Sequence, residues 1–115
     1  MGAGLSKNRI KGLSASVDQN SAVLILGTLP GRMSLTYGKY YADPSNKFWD
    51  ILFIACGEKI DKTDQGKKQL LEKYHIALWD ILYSAVRKTS NDKDISDETP
   101  NNLPLFLSQY PNIIL

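Results

Sequence analysis

The residues best suited to chemistry lie in two short segments. One is Gly27-Thr28-Leu29-Pro30-Gly31; the other is Tyr40-Tyr41-Ala42-Asp43-Pro44-Ser45-Asn46-Lys47-Phe48-Trp49. Glycine lets the backbone approach a ligand closely and expose its N–H groups. Two adjacent tyrosines offer a flat face for an aromatic ring, and stacking of a base on such a face contributes about 1–3 kcal/mol. The Asn46 carboxamide both donates and accepts, so it can read a base edge or hold a water. Each feature also has a purely structural reading. The tyrosines can simply pack, and Asn46 can cap the helix that follows it; a cap and a ligand role can coexist. Phe48 and Trp49 read as anchors of that helix. The glycine turn lacks the Gly-Lys-Ser/Thr ending of a phosphate loop, and no Gly-x-Gly-x-x-Gly dinucleotide fingerprint follows.

Elements must place these segments. Ser21 to Gly27 is a short, β-branched apolar run stopped by glycine, which predicts a buried central strand paired in parallel. Its carboxyl end then carries the glycine turn, and that edge is where open α/β sheets bind ligands. Thr28 to Ser45 reads as a long functional loop. A helix starts near Lys47, with Ser45 or Asn46 as cap, repeats Phe48, Ile51, Leu52 and Ala55 at helical spacing, and ends at Gly57. Thr63-Asp64 opens a second helix to about Tyr74. Ile76 to Asp80 is either a strand or an extended connection, and Ile81 to Val86 is ambiguous. Residues 88–102 read as a polar loop that includes the acidic cluster Asp92, Asp94, Asp97 and Glu98. Asn102 caps a short helix with Pro104 in its first turn, and Asn112 to Leu115 reads as the start of a second buried strand.

Composition bounds the function. The chain has 115 residues, a net charge of +2, 43% hydrophobic residues and 23% charged residues, as expected of one globular domain. The longest apolar run, Ile51 to Cys56, is far below the roughly 18 residues of a membrane span. A single cysteine, Cys56, excludes an internal disulfide, and with one histidine, His75, a Cys/His zinc centre is excluded too. Cys56 reads as a small buried hydrophobe and His75 as a partner for helix-end carbonyls. Met1-Gly2 with Ser6 fits an N-myristoylation pattern that is too short to be specific, and no secretory signal is present. The default is a cytoplasmic protein. Charge is uneven: residues 1–40 carry five bases and one acid, a net +4, and residues 41–115 carry nine bases and eleven acids, a net −2. A basic end of this kind can meet phosphates. Residues 1–20 read as a flexible basic lead-in, and 21–115 as the folded part.

At these residues the chain resembles the uracil-DNA glycosylase superfamily, and within it the hypoxanthine-DNA glycosylase branch. The resemblance rests on the Gly27-x-x-Pro30-Gly31 turn, Ser34-Leu35, Tyr40-Tyr41-Ala42 and Pro44-x-Asn46-x-Phe48-Trp49. It continues through Ile76 to Leu82, Asn91 to Ile95, and Pro100-Asn101-Asn102 to Ile113, and it includes Arg9 to Leu13. It implies a three-layer α/β/α sandwich with a mostly parallel central sheet, present here as its amino-terminal part. The implied activity is flipping a deaminated base, hypoxanthine or uracil, out of DNA and hydrolysing its N-glycosidic bond, without metal or cofactor and as a monomer when complete. It implies Asn46 as the catalytic residue, Tyr41 as the stacking aromatic, and Gly27, Thr28, Leu29, Pro30, Gly31 and Ser34 as the pocket. Arg32 and Lys39 would meet DNA phosphates.

Three departures stand out. Leu29 replaces an asparagine of the mismatch-specific enzymes, which are active on uracil or thymine in G/U-type mismatches, and Asp43 replaces a histidine. The second superfamily motif, expected after the second strand, is absent, so activity is expected of the complete protein rather than of these 115 residues alone. Leu29 and Asp43 support an alternative reading, a non-catalytic nucleic-acid-binding or interaction module on the same fold.

Overall fold

The computed structural model describes residues 9–87 and 95–113. The chain runs β1 (Arg9–Lys11), β2 (Val23–Gly27), α1 (Arg32–Tyr37), α2 (Phe48–Ala55), α3 (Asp64–Tyr74), β3 (Ile76–Asp80), β4 (Leu82–Arg87), β5 (Ile95–Pro100) and α4 (Leu103–Gln109). The result is a mixed α/β fold. β2 and β3 pair in parallel, in a register that sets Val23 against Ile76 and Gly27 against Asp80. β1, β4 and β5 form a second, antiparallel sheet in the order β1-β4-β5. Parallel pairing is thus confined, among the described residues, to β2 and β3, and the expectation of a mostly parallel sheet is only partly met. The cause is β4: it follows β3 after the single residue Ile81, and its partners β1 and β5 both run against it.

The alternation of a strand explains the layers. Successive side chains of β3 point to opposite faces. Leu78 joins Trp49 and Phe53 of α2 and Leu70 of α3, while Ala77 and Trp79 face Phe106 of α4 and Ile113. The parallel pair is therefore covered by α2 and α3 on one face and by α4 on the other. A third cluster, Leu29, Leu82 and Ala85 with Ile10 and Ile95, holds the antiparallel sheet to the glycine turn. The helices start where side-chain oxygens can take up orphan backbone N–H groups. Thr63 Oγ1 accepts from Gly66 N at 3.0 Å, and Asn102 Oδ1 accepts from Leu105 N at 3.0 Å.

Four sequence expectations need correction. Residues 9–20 do not hang free as a lead-in: β1 pairs with β4, and Ser16 exchanges two backbone hydrogen bonds of 2.9 Å with Leu78 on the outer side of β3. The stretch 28–45 is not all loop, because α1 occupies Arg32–Tyr37. Residues 95–100 of the expected polar loop form β5, an exposed strand whose register is fixed only by β4; residues 88–94 of that loop lie outside the described residues. The structure assigns no strand to Asn112 or Ile113, and 114–115 lie outside the described residues. No described helix is long and apolar enough to cross a membrane.

Candidate functional site

The carboxyl ends of β2 and β3 open on a cavity of about 710 Å³. Its walls come from four stretches of chain: the turn 27–31 with the start of α1, the segment Tyr40 to Asn46, Asp80 at the end of β3, and Arg87 at the end of β4. The turn is held by the strands it joins. Ile81 N donates to Gly27 O at 2.8 Å, Leu82 N to Thr28 O at 3.1 Å, and the Arg87 guanidinium to Pro30 O at 2.5 Å. Leu29, set between the two glycines, is buried against Leu82 and Ala85 and so anchors the turn. Gly27 has a strict steric reason. A Cβ there would lie 2.5 Å from Asp80 Oδ1 and 3.3 Å from the Tyr41 hydroxyl, whereas one at Gly31 would meet nothing within 4 Å.

Tyr41 sits at φ 52°, a left-handed conformation that costs a non-glycine residue about 1–3 kcal/mol. Two contacts hold it there. Its ring stacks on Phe48, centroids 3.7 Å apart and planes within 16°, and the next residue, Ala42, donates its N–H to Ser34 Oγ at 3.2 Å. Ser34 is buried on α1, so α1 positions the tyrosine. Tyr40 is fixed through its hydroxyl, which donates to the carbonyls of Ser14 (2.9 Å) and Leu13 (3.2 Å). Burial, reinforced by the Asp80 carboxylate, raises both phenols above their ordinary values, so they remain neutral and hydrogen-bonding at physiological pH.

Asn46 is exposed at the cavity mouth. Its Oδ1 accepts from Phe48 N at 2.8 Å, a local bond one residue ahead of the N-cap, which is Lys47 and not Asn46 as expected; a second lone pair and the amide N–H groups remain for a ligand. Asp43 also lines the mouth. Two hydrogen bonds from Ser45, backbone and hydroxyl, hold its carboxyl below the usual range, so the mouth keeps a negative charge.

The structure thus gathers Gly27, Thr28, Leu29, Pro30, Gly31, Ser34, Tyr41 and Asn46 around one cavity, with Arg32 at its edge. Lys39 is not brought there; it pairs with Asp64 at 2.8 Å on another face. Asp80 and Arg87 were missed by the sequence reading. Both are among the few buried charged residues, with 5% and 6% of their surface exposed. Nothing local marks them, since their burial depends on where β3 and β4 end. Among the described residues no group of three or more His, Cys, Asp or Glu is placed to hold a metal ion.

An α/β domain with a walled, aromatic-edged cavity at the carboxyl ends of its parallel strands is the class that fold and site define. A family model of the uracil DNA glycosylase superfamily matches residues 15–115, and the chain belongs to that family. It is 33% identical over 106 residues to a hypoxanthine DNA glycosylase of Methanosarcina barkeri, and 34% identical over 106 residues to one of Methanosarcina acetivorans. Each match covers 91% of this chain and 67% of the relative. A solution NMR structure of a candidate uracil DNA glycosylase from M. acetivorans superposes with a TM-score of 0.80 at 33% identity, over 91% of this chain and 66% of that one. The chain therefore spans about two thirds of the length of the proteins it matches.

Proposed function

We propose that this chain carries the base-binding site of a DNA glycosylase, which takes a deaminated base, hypoxanthine or uracil, out of the helix and hydrolyses its N-glycosidic bond. The carrying observation is the cavity at the ends of β2 and β3, where the glycine turn, Tyr41 and Asn46 converge from separate segments. Its volume lies within the range of small-ligand sites. Extrusion is required because the glycosidic bond is inaccessible inside the stack. In this reading the base enters beside Tyr41, whose ring is held rigid by Phe48, and lies along the backbone of the 27–31 turn. A water oxygen bonds to the sugar C1′ while the C1′–N bond breaks, its electron pair leaving with the base, and a proton from the water ends on the base. Asn46 orients that water: an amide is no general base, but its dipole favours the charge that develops as the bond breaks. Arg32 meets a phosphate of the strand. In this reading the complete protein acts as a monomer in the cytoplasm.

Excision tests the reading. Incubation of the full-length protein with a duplex that carries one deoxyinosine, followed by alkaline treatment, should cut the strand at that position. Asn46→Ala should slow this by about 10²–10³-fold. Substrate that stays intact with the wild-type full-length protein contradicts the enzyme reading. The fixed negative charge of Asp43 at the mouth and the burial of Leu29 favour the second reading, a nucleic-acid-binding module without catalysis; deoxyinosine-dependent binding without excision would select it.

A further inference from the structure

We propose, resting on the glycosylase reading above, that Arg87 recognises the carbonyl oxygen that deamination places on the base, with Asp80 as the acceptor for the ring N–H beside it. The two residues stand at opposite ends of one turn. Asp80 Oδ1 lies directly against the backbone of Gly27, so close that a methyl group on Gly27 would be 2.5 Å from it. The Arg87 guanidinium donates to Pro30 O at 2.5 Å. Both residues line the cavity and both are more than nine-tenths buried.

Burial of a guanidinium costs several kcal/mol, of order, unless its donors are used. A guanidinium has five N–H donors. The Pro30 carbonyl takes one nitrogen, and the side chain also lines the cavity, where a ligand would meet its fork. A planar fork of donors calls for oxygen acceptors. Deamination supplies one. It replaces the exocyclic amino group of adenine or cytosine by a carbonyl oxygen, and it turns the adjacent ring nitrogen from an acceptor into an N–H donor. The altered edge thus offers an acceptor beside a donor. A guanidinium and a carboxylate on one cavity wall present the complement. Toward adenine the same wall is mismatched at both places, because the amino group would face a cation and the bare ring nitrogen a carboxylate. Rejection of that kind is strong where a site is built to hydrogen-bond.

A role limited to holding the turn would weaken every ligand equally, so the test varies the base. Fluorescence anisotropy would measure this chain on single-stranded oligonucleotides that differ at one position: deoxyinosine, deoxyadenosine, or the deoxyribonucleoside of unsubstituted purine, which lacks both the oxygen and the ring N–H. The wild type should bind deoxyinosine about 10- to 100-fold more tightly than the other two. Arg87→Met should bring deoxyinosine down to the level of unsubstituted purine, beyond whatever loss purine itself shows from the missing Pro30 contact. Arg87→Lys, which keeps the charge without the fork, should retain part of the preference. A folded Arg87→Met chain that still prefers deoxyinosine overturns the proposal, as does an undiminished preference in Arg87→Lys, which carries the test if the methionine variant does not melt cooperatively. A wild type that binds deoxyinosine without preference also overturns it. A wild type that binds none of the three oligonucleotides contradicts the glycosylase reading itself.

Discussion

Two cavities of similar size meet at Tyr40 and treat charge in opposite ways. The one at the strand ends, about 710 Å³, has its charges in the wall: Asp80 and Arg87 are buried there, and the glycine turn is built around them. The other, about 620 Å³, lies between residues 13–18, Trp49 and α3, over an apolar floor that includes Leu71, Ile76 and Leu78. Its charges stand on the rim, where Lys39 and Asp64 satisfy each other. Lys39 pairs with Asp64 while both side chains remain about half or more exposed, 49% and 72%. Lys67 lies 5.1 Å above the Trp49 ring, and desolvation there lowers its pKa. Exposed pairs of this kind contribute little to stability. Volume therefore does not distinguish the two. What distinguishes them is how far charge has been taken out of water: Asp80 and Arg87 are buried in the strand-end wall, whereas Lys67 is only partly desolvated.

The largest predicted effect separates two glycines of one turn. Gly27→Ala should cost about 1–3 kcal/mol, the usual range for overpacking, and should abolish deoxyinosine binding by displacing Asp80 and Tyr41. Gly31→Ala, with open space around the new methyl group, should stay within about 0.5 kcal/mol and keep binding. Chemical denaturation with a binding titration on each variant checks both; equal effects at the two glycines would remove the steric account of the site.

A smaller effect concerns the tyrosines between the cavities. Their folded pKa values lie above the ordinary value of 10.0, so the folded state holds its phenolic protons more tightly than the unfolded state. The stability this supports is fully present below about pH 10 and is lost as pH rises from there through the folded values. Thermal melts from pH 7 to 11 should show an alkaline decline that flattens in Tyr41→Phe; an unchanged decline would mean that other groups cause it.

The smallest effect tests the basic residues. Arg32→Ala should weaken DNA binding a few-fold and reduce the salt slope by about one. Lys39→Ala should leave both unchanged, since Lys39 is paired with Asp64 at the second cavity. Salt-dependent titrations of the two variants check this, and an equal loss in both would place DNA across both cavities.

What the sequence made legible follows from how local each signal is. The strand that ends in glycine, the helices after Asn46, Thr63 and Asn102, and the union of the turn with Tyr41 and Asn46 are carried by nearby residues: an apolar run, a cap, a fixed spacing. β1 and β5 carry no such signal. Arg9-Ile10-Lys11 and Ile95 to Pro100 are strands because β4 lies beside them. α1 has six residues with only Ser34 buried, so no apolar stripe announces it. Arg87 is a lone arginine just after a segment of ambiguous type, and its meaning comes from the Pro30 carbonyl, 57 positions earlier in the chain. The site was legible where it is built from loops and illegible where it is built from strand ends.

The central claim is that a deaminated base enters the cavity at the ends of β2 and β3. Amide NMR shifts of the labelled chain, titrated with a deoxyinosine oligonucleotide, test it most directly. The account predicts that the shifts cluster at residues 27–34, 40–46, Asp80 and Arg87, while residues 13–18 and 64–72 stay still. Shifts confined to 13–18 and 64–72 would contradict it.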